Sequence, residues 1–398
     1  MTLRLKGSMA ICFMLVMPGW TLILRSQSDA RQAAFLLEQQ GKTVEAEAAW
    51  AALSKAHPTD PEPFAHLGLL EARQEHYAEA ISSYRKAMAL NPAMPRLQFN
   101  LGLAYFKAGD YEEALQQFKP LLKTLPSDSD EAQRLVLLIG MSHYGLGEFA
   151  ASTPYLKQAA DRDAQNQTLL LTLAHSCLLS KQYQCVLDTF HRMVALNAES
   201  AESDMLVGEA LDEMKDTIGA IKEFRSAVAA NPKEPNVHFG LGYLLWTQGH
   251  ANEAAEEFQA ELNNDPEHIQ AMLYLADSQV QMNRMDEARP LLEKVVKIDP
   301  ANPMGRLDLG IVYADAGRNE EALRELKEAA KLDPNEANAH WRLFQLYRSM
   351  GKTTEANAEL AKTKRIDKAS REGLVNVMSK ASKQGSVQSG SNGAAAQK

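Results

Sequence analysis

Residues 99–114 read FNLGLAYFKAGDYEEA and contain the pattern that decides the fold. Apolar residues recur at helical spacing up to Tyr105, and Gly109 then provides a residue that tolerates the left-handed backbone with which helices often end. A second helix is predicted from Tyr111, with its apolar residues on one face. Pro126 cannot continue that helix. The stretch therefore predicts two short helices joined by a tight turn.

This helical hairpin recurs along the chain. Small residues appear every 34 positions, with one step of 38 near Ser129, at Ala34, Gly68, Gly102, Gly140, Ala174, Gly208, Gly242, Ala276 and Gly310. A second series, always 12 residues later, contains Ala46, Ala80, Ala114, Ala220, Ala254, Ala288, Ala322 and Ala356. Small side chains at a helix crossing let the two backbones approach closely. Because one hairpin cannot bury its apolar face alone, the hairpins are expected to stack.

With this period, and with the motifs at residues 101–105 and 109–114, the sequence resembles the tetratricopeptide-repeat superfamily. The resemblance implies an all-α fold, an α-solenoid superhelix of about ten 34-residue helix-turn-helix repeats over residues 27–370. The fourth and fifth units depart from the pattern, because Ser152 and Val186 replace the small residue of the second helix. In the tenth unit, Phe344 stands where the first helix normally has a small residue.

The end of the chain differs from the repeats. Residues 371–382 place apolar residues at helical spacing, which predicts a capping helix over the last repeat, at Leu374, Val377, Met378 and Ala381. Residues 383–398 consist largely of Gly, Ser, Gln and Ala and contain no large aliphatic or aromatic side chain besides Val387. We therefore expect a disordered tail there.

The first 26 residues predict a signal sequence or a membrane anchor. Arg4 and Lys6 precede an uncharged run at residues 7–24, which is typical of the basic and apolar parts of a secretory signal. We expect the protein to be exported, periplasmic or secreted, or anchored by this segment, with a cytoplasmic location less favoured. Cys177 and Cys185 lie in the fifth unit and are interpreted either as two buried thiols or as a disulfide.

Composition and motifs argue against several functions. The chain has 42 Lys and Arg against 51 Asp and Glu, and this acidic balance disfavours nucleic acid as a ligand. The ten histidines are scattered, without a spacing that suits a metal. We find no catalytic motif, so we expect a non-enzymatic protein without a cofactor or metal that contacts a membrane only through its N-terminal segment.

The resemblance also implies which residues form a binding groove. Positions 2, 5, 9, 12 and 13 of each unit face inward in that family, and in the third to fifth units they include Phe99, Leu103, Phe106, Met141 and Tyr144. The sixth and seventh units contribute Glu209, Asp212, Glu213, Phe239, Tyr243 and Trp246. Aromatic residues beside carboxylates suit a peptide with apolar anchors and nearby Lys or Arg. The simpler alternative is that the aromatic residues pack between repeats and the acids are solvated.

Two classes of function therefore remain open. The first is a protein-interaction scaffold that binds peptide or protein segments in the concave groove, in envelope assembly or secretion. The second is an accessory repeat subunit of an enzyme system, a glycosyltransferase or a peptidase, with catalysis on another chain. The oligomeric state is not fixed by the sequence.

Overall fold

The computed structural model describes the backbone of residues 18–391 and the side chains of residues 29–372. Over the described backbone the chain forms twenty α-helices and no strand. Consecutive helices pack as antiparallel pairs, so the predicted all-α fold of helix-turn-helix repeats is confirmed. The chain divides into two compact units, which meet in sequence at Asn197 and Ala198.

Unit 1 contains the first ten helices. They are α1 (Pro18–Gln39), α2 (Thr43–Ala56), α3 (Pro61–Arg73), α4 (Tyr77–Leu90), α5 (Leu97–Ala108), α6 (Tyr111–Leu122), α7 (Asp130–Gly145), α8 (Phe149–Arg162), α9 (Gln167–Leu179) and α10 (Tyr183–Ala195).

Unit 2 contains the other ten. They are α11 (Ala201–Glu213), α12 (Thr217–Ala230), α13 (Val237–Thr247), α14 (Ala251–Asn264), α15 (Ile269–Gln281), α16 (Met285–Ile298), α17 (Pro303–Asp315), α18 (Asn319–Leu332), α19 (Ala337–Ser349) and α20 (Thr353–Ser391).

The small residues of the period lie where paired helices cross. Gly102 on α5 faces the Phe118 ring on α6, and a Cβ at residue 102 would lie 2.6 Å from a ring carbon. Phe118 is completely buried. The missing side chain of glycine therefore makes room for a large ring, and this contact holds the two helices of one repeat together. Gly109 ends α5 with a φ of 85°, as its position in the motif predicts.

The fourth and fifth units have Ser152 and Val186 at the small-residue position of the second helix, and both side chains fit into the packing around them. Ser152 is fully buried on α8, and its hydroxyl donates a 2.8 Å hydrogen bond to the Gly140 carbonyl on α7. A serine is thus tolerated at a small-residue position because its polar group is satisfied. Val186 is fully buried on α10.

Cys177 on α9 and Cys185 on α10 form a disulfide, with their Cα atoms 5.8 Å apart. Of the two interpretations that the sequence leaves open, the structure contains the bridge rather than two thiols. The bond closes the turn of the fifth repeat by a covalent link between its two helices.

Helix α20 is one continuous helix through Ser391. No break separates the second helix of the tenth repeat from residues 371–382, for which the sequence predicts a capping helix, and the backbone is helical over residues 383–391 of the predicted disordered tail. The side chains beyond residue 372, on which the capping prediction rests, lie outside the described residues, so that role stays a prediction.

The predicted signal or anchor at residues 1–26 lies outside the described side chains, and only its backbone from Pro18 onward is described, as the start of α1. Within the described part of the chain, none of the helices combines the length and apolar character that a membrane span requires.

Candidate functional site

A cleft in unit 2 brings together four of the residues that the sequence assigns to a groove. It has a volume of about 180 Å³, and Glu209, Asp212, Phe239 and Tyr243 all line it. The other lining residues are Met205, Phe224, Asn236, Gly240 and Leu244. The walls come mainly from α11 and α13, the first helices of two successive repeats, and Phe224 comes from α12 between them.

The acidic wall of the cleft is set by α11. This helix begins with a capping box, in which Ser200 accepts from the Ser203 backbone N–H and the Ser203 hydroxyl accepts from the Ser200 N–H. Glu209 and Asp212 are three residues apart, so they lie on one face of the helix. Glu213 is exposed on the same helix but does not line the cleft.

The aromatic wall is set by α13, whose start is held by a side chain from the next helix. Asn236 precedes α13 in a left-handed conformation, with φ of 65°. The Glu261 carboxylate on α14 accepts hydrogen bonds from the backbone N–H groups of Asn236, at 3.2 Å, and Phe239, at 3.1 Å. Glu261 is 2% exposed. A buried carboxylate therefore satisfies two N–H groups that an uncapped helix start leaves free.

The floor of the cleft is the Phe224 ring, which lies between two glycines. A Cβ at Gly208 would lie 2.6 Å from the ring, and a Cβ at Gly240 would lie 2.2 Å from it. No side chain larger than hydrogen fits at either position without movement of the ring. The two glycines thus fix where the ring lies and how closely α11 and α13 approach it.

The three aromatic residues predicted for this wall differ in their roles. Tyr243 is 38% exposed and lines the cleft. Phe239 is half-buried and stacks on His268 with ring centroids 4.8 Å apart. Trp246 does not line the cleft; it packs edge-on against Tyr274 at 4.9 Å. Packing between repeats therefore accounts for Trp246 and for part of the Phe239 ring, whereas Tyr243 is open to solvent.

The electrostatic character of the cleft is acidic. None of its nine lining residues is basic. Desolvation by the surrounding atoms raises the pKa of Glu209, although part of its side chain reaches solvent. Within residues 29–372 no hydrogen bond or ion pair to a side chain compensates the Glu209 or Asp212 carboxylate. A cationic or hydrogen-bond-donating group would therefore be favoured in this cleft.

The structure does not gather the five predicted residues of unit 1 around one cavity. Phe99 packs near Phe118, with centroids 6.1 Å apart, and Phe106 packs edge-on against Tyr111 at 5.6 Å. The Tyr144 hydroxyl is 2.6 Å from Nδ1 of His175 on α9. Each of these rings is thus engaged with neighbouring helices.

The other two residues of that set are separate from these rings. Leu103 lines a cavity of about 210 Å³ with Leu69, Ala72, Arg73, Tyr77, Tyr84, Asn100, Ala104 and Lys107. Met141 is half-buried on α7. A single apolar groove along the third to fifth units remains a prediction.

Sequence reasoning missed Met205 and Phe224. Met205 occupies position 5 of the sixth unit, one of the positions that the family resemblance marks as inward-facing. Phe224 lies 16 residues after Gly208, the same offset that separates Phe118 from Gly102. The period therefore contained the signal for both residues. Within the described residues, no group of three or more His, Cys, Asp and Glu side chains is placed to hold a metal ion.

Three family models match the chain and together cover more than half of it. Models described as tetratricopeptide repeat match residues 71–139 and, in two overlapping copies, residues 208–268 and 239–303. A model described as TPR repeat matches residues 312–351.

Individual relatives are distant. Tetratricopeptide repeat protein 8 of Caenorhabditis elegans is 23% identical over 230 residues, which are 57% of this chain and 41% of that protein. The peroxisomal targeting signal receptor of Kluyveromyces lactis is 23% identical over 273 residues, 66% of this chain and 47% of the receptor. The chain thus spans less than half the length of these curated relatives.

Among solved structures, YrrB, described as a TPR protein with an unusual peptide-binding site, is 20% identical with a TM-score of 0.39. The match covers 44% of this chain and 91% of YrrB.

Proposed function

Because the chain belongs to the tetratricopeptide-repeat superfamily, we propose that it is a non-enzymatic scaffold that binds segments of other proteins. The cleft between α11 and α13 is the proposed contact site. The observation that carries this proposal is the convergence of two acids, Glu209 and Asp212, with the exposed Tyr243 ring around one cavity.

The chemistry of the cleft favours a segment with a Lys or Arg side chain. Carboxylates without a basic neighbour attract a cation, and the face of an aromatic ring such as Tyr243 adds a cation–π contribution. Met205 and the Phe224 ring offer apolar surface for the stem of such a side chain. The size of the cavity, about 180 Å³, suits one side chain rather than a whole small-molecule ligand.

We further propose that the protein works in an exported or membrane-anchored state, in envelope assembly or secretion. The basic and apolar N-terminal segment supports export. The Cys177–Cys185 disulfide also supports it, because disulfides persist mainly in oxidising compartments. Cell fractionation together with mass spectrometry of the native N-terminus tests this proposal. Recovery of the intact chain from the cytoplasm alone would contradict it.

Site-specific photo-crosslinking tests the cleft. A photoreactive phenylalanine analogue at Tyr243 should crosslink to a partner in cells. The same analogue at Ile298, which is 46% exposed on α16 and lies away from the cleft, should not. Mass spectrometry of the crosslinked product identifies the partner and the segment.

Removing the charges of Glu209 and Asp212 tests whether the cleft binds a cationic segment. Combining Glu209→Gln with Asp212→Asn should reduce the Tyr243 crosslink about tenfold or more, because the cationic side chain of the bound segment loses both carboxylates. Equal crosslinking from Tyr243 and Ile298 would overturn the assignment of the cleft. Recovery of one enzyme's catalytic subunit as the crosslinked partner would instead support the accessory-subunit alternative.

A further inference from the structure

Asp308 on α17 is a buried acid that the proposed binding site does not use. Its side chain is 4% exposed, and its Oδ2 atom has no hydrogen-bond donor among the described residues. A charged carboxylate in such a place would lose its hydration, and no hydrogen-bond donor at Oδ2 would compensate for that loss. The surroundings of Asp308 therefore favour the neutral, protonated acid.

The neighbour of Asp308 is a second carboxyl group. Asp277 on α15 lies within hydrogen-bonding reach of Asp308. Oδ2 of Asp277 accepts hydrogen bonds from Nε1 of Trp246 and from Nε2 of Gln281, each 2.5 Å long. Two donors thus stabilise the charged form of Asp277. Two carboxylates cannot hydrogen-bond to each other unless one of them carries a proton.

We propose that Asp277 and Asp308 share one proton at neutral pH, with Asp308 as the donor, and that this bond ties α15 to α17. The link connects the first helices of two successive repeats in unit 2. Loss of the proton leaves two negative charges side by side in a largely buried place, so the link becomes repulsive at high pH.

Charged groups on the helices around α17 fit this assignment. Arg342 on α19 is the basic residue whose positive charge attracts a charged Asp308 carboxylate. On α16, Glu293 accepts from the Tyr313 hydroxyl at 3.1 Å. On α18, Glu325 is paired with Arg306 at 2.5 Å. These last two acids are thus engaged by other partners.

The directions of the pKa shifts agree with the geometry. Burial, followed by repulsion from Asp277, raises the pKa of Asp308 well above its ordinary value, and the attraction of Arg342 only partly opposes this. Burial also raises the pKa of Asp277 above its ordinary value, and the hydrogen bonds that Asp277 accepts from Trp246 and Gln281 only partly oppose this. The folded chain therefore binds a proton that the unfolded chain has already released above about pH 4.

The shared proton makes the stability of the link between α15 and α17 depend on pH. A group with a raised pKa in the folded state contributes stability that is fully present below its unfolded pKa and is lost as pH rises through its folded pKa. The opening equilibrium constant of α15 and α17 should therefore increase about tenfold per pH unit for each proton released.

Hydrogen exchange of the full chain tests the proposal. Mass spectrometry of peptides from α15 and α17, corrected for intrinsic exchange rates, gives the opening equilibrium constant between about pH 5 and pH 8. The wild type should show the tenfold dependence per pH unit. Asp308→Asn should abolish it, because an amide at residue 308 donates permanently to Asp277 and does not titrate.

Asp204 on α11 provides the matched control. It is 7% exposed, and burial, followed by repulsion from Glu223 and Glu199, raises the pKa of Asp204 to about 6. Asp204→Asn should leave the pH dependence of α15 and α17 unchanged. The same pH dependence in the wild type and in Asp308→Asn would overturn the proposal.

A direct measurement covers the case in which Asp308→Asn perturbs the fold. In the wild type labelled with ¹³C at aspartate carboxyls, one buried Asp Cγ resonance other than that of Asp204 should titrate well above the range of the solvent-exposed aspartates and should be missing in Asp308→Asn. A wild-type spectrum in which only Asp204 titrates above that range refutes the shared proton.

Discussion

Nε1 of Trp246 donates a 2.5 Å hydrogen bond to Oδ2 of Asp277, and this bond joins α13 to α15 across the boundary between two repeats. The sequence pattern places Trp246 among the groove residues, yet the structure gives its indole a polar partner and a packing partner, Tyr274. Trp246 therefore belongs to the contact between repeats, and its replacement tests that contact rather than ligand binding.

Replacing Trp246 by Phe removes the donor and keeps the ring packing. Because Asp277 then loses one of the hydrogen-bond donors that stabilise its charge, we expect the free energy of unfolding of unit 2 to fall by about 1–3 kcal/mol. Chemical denaturation measures the change. The control is Trp341→Phe, because Trp341 is 39% exposed on α19 and its loss should change stability by less than about 0.5 kcal/mol. Equal losses in the two variants would contradict the structural role of Trp246.

Replacing Gly208 by Ala places a methyl group 2.6 Å from the Phe224 ring. The ring or α11 must then move, and we expect a loss of about 1–3 kcal/mol of stability. The double variant Gly208→Ala, Phe224→Leu should be more stable than the sum of the two single losses predicts, because the smaller side chain makes room for the methyl group. Strict additivity in thermal or chemical unfolding would show that the two residues do not share this contact.

Replacing Glu261 by Met removes both acceptors at the start of α13 while preserving the length of the side chain. The N–H groups of Asn236 and Phe239 then lose their partner. We expect faster hydrogen exchange at these two amides and a loss of about 1–3 kcal/mol. Glu256→Met, at an exposed position of the same helix, is the control and should leave both amides protected. Unchanged exchange at Asn236 in Glu261→Met would rule out the cap.

Removing the Cys177–Cys185 disulfide, by reduction or by a double substitution with Ala, should destabilise unit 1. The bridge closes a loop with a sequence separation of 8 residues, for which the chain-entropy treatment gives about 2–3 kcal/mol. Thermal unfolding with and without reductant measures the effect. Alkylation of the native, purified protein should leave both residues unmodified. Two alkylated thiols in protein isolated from its own compartment would contradict the bridge.

The sequence predicted much of the fold because the repeat has a local physical cause. Gly102 and Gly208 recur at the same place in their repeats, since each must lie under a large ring of its own hairpin, Phe118 or Phe224. That contact spans only 16 residues, so the sequence contains both partners within one repeat. The sequence pattern of this contact therefore sufficed to predict the period, the paired helices and the family.

The site was only partly predictable. The inward positions of the family pattern brought Glu209, Asp212, Phe239 and Tyr243 to one cleft, although the sequence could not show that Trp246 lies outside it. In unit 1 the same positions gave Phe106 and Tyr144, which pack against Tyr111 and His175 instead of lining a common cavity. A position in the repeat fixes the direction of a side chain, whereas its neighbours fix whether it stays exposed.

By itself, the sequence determined that this protein is built from stacked helical hairpins, because an amphipathic hairpin with a regular small residue has no other way to bury its apolar face. Only the tertiary structure decided side-chain contacts such as Trp246 with Asp277 and Asp277 with Asp308, which join two repeats, and Glu261 with the start of α13, which joins the two helices of one repeat. Those contacts depend on side-chain rotamers and burial that no periodic pattern encodes.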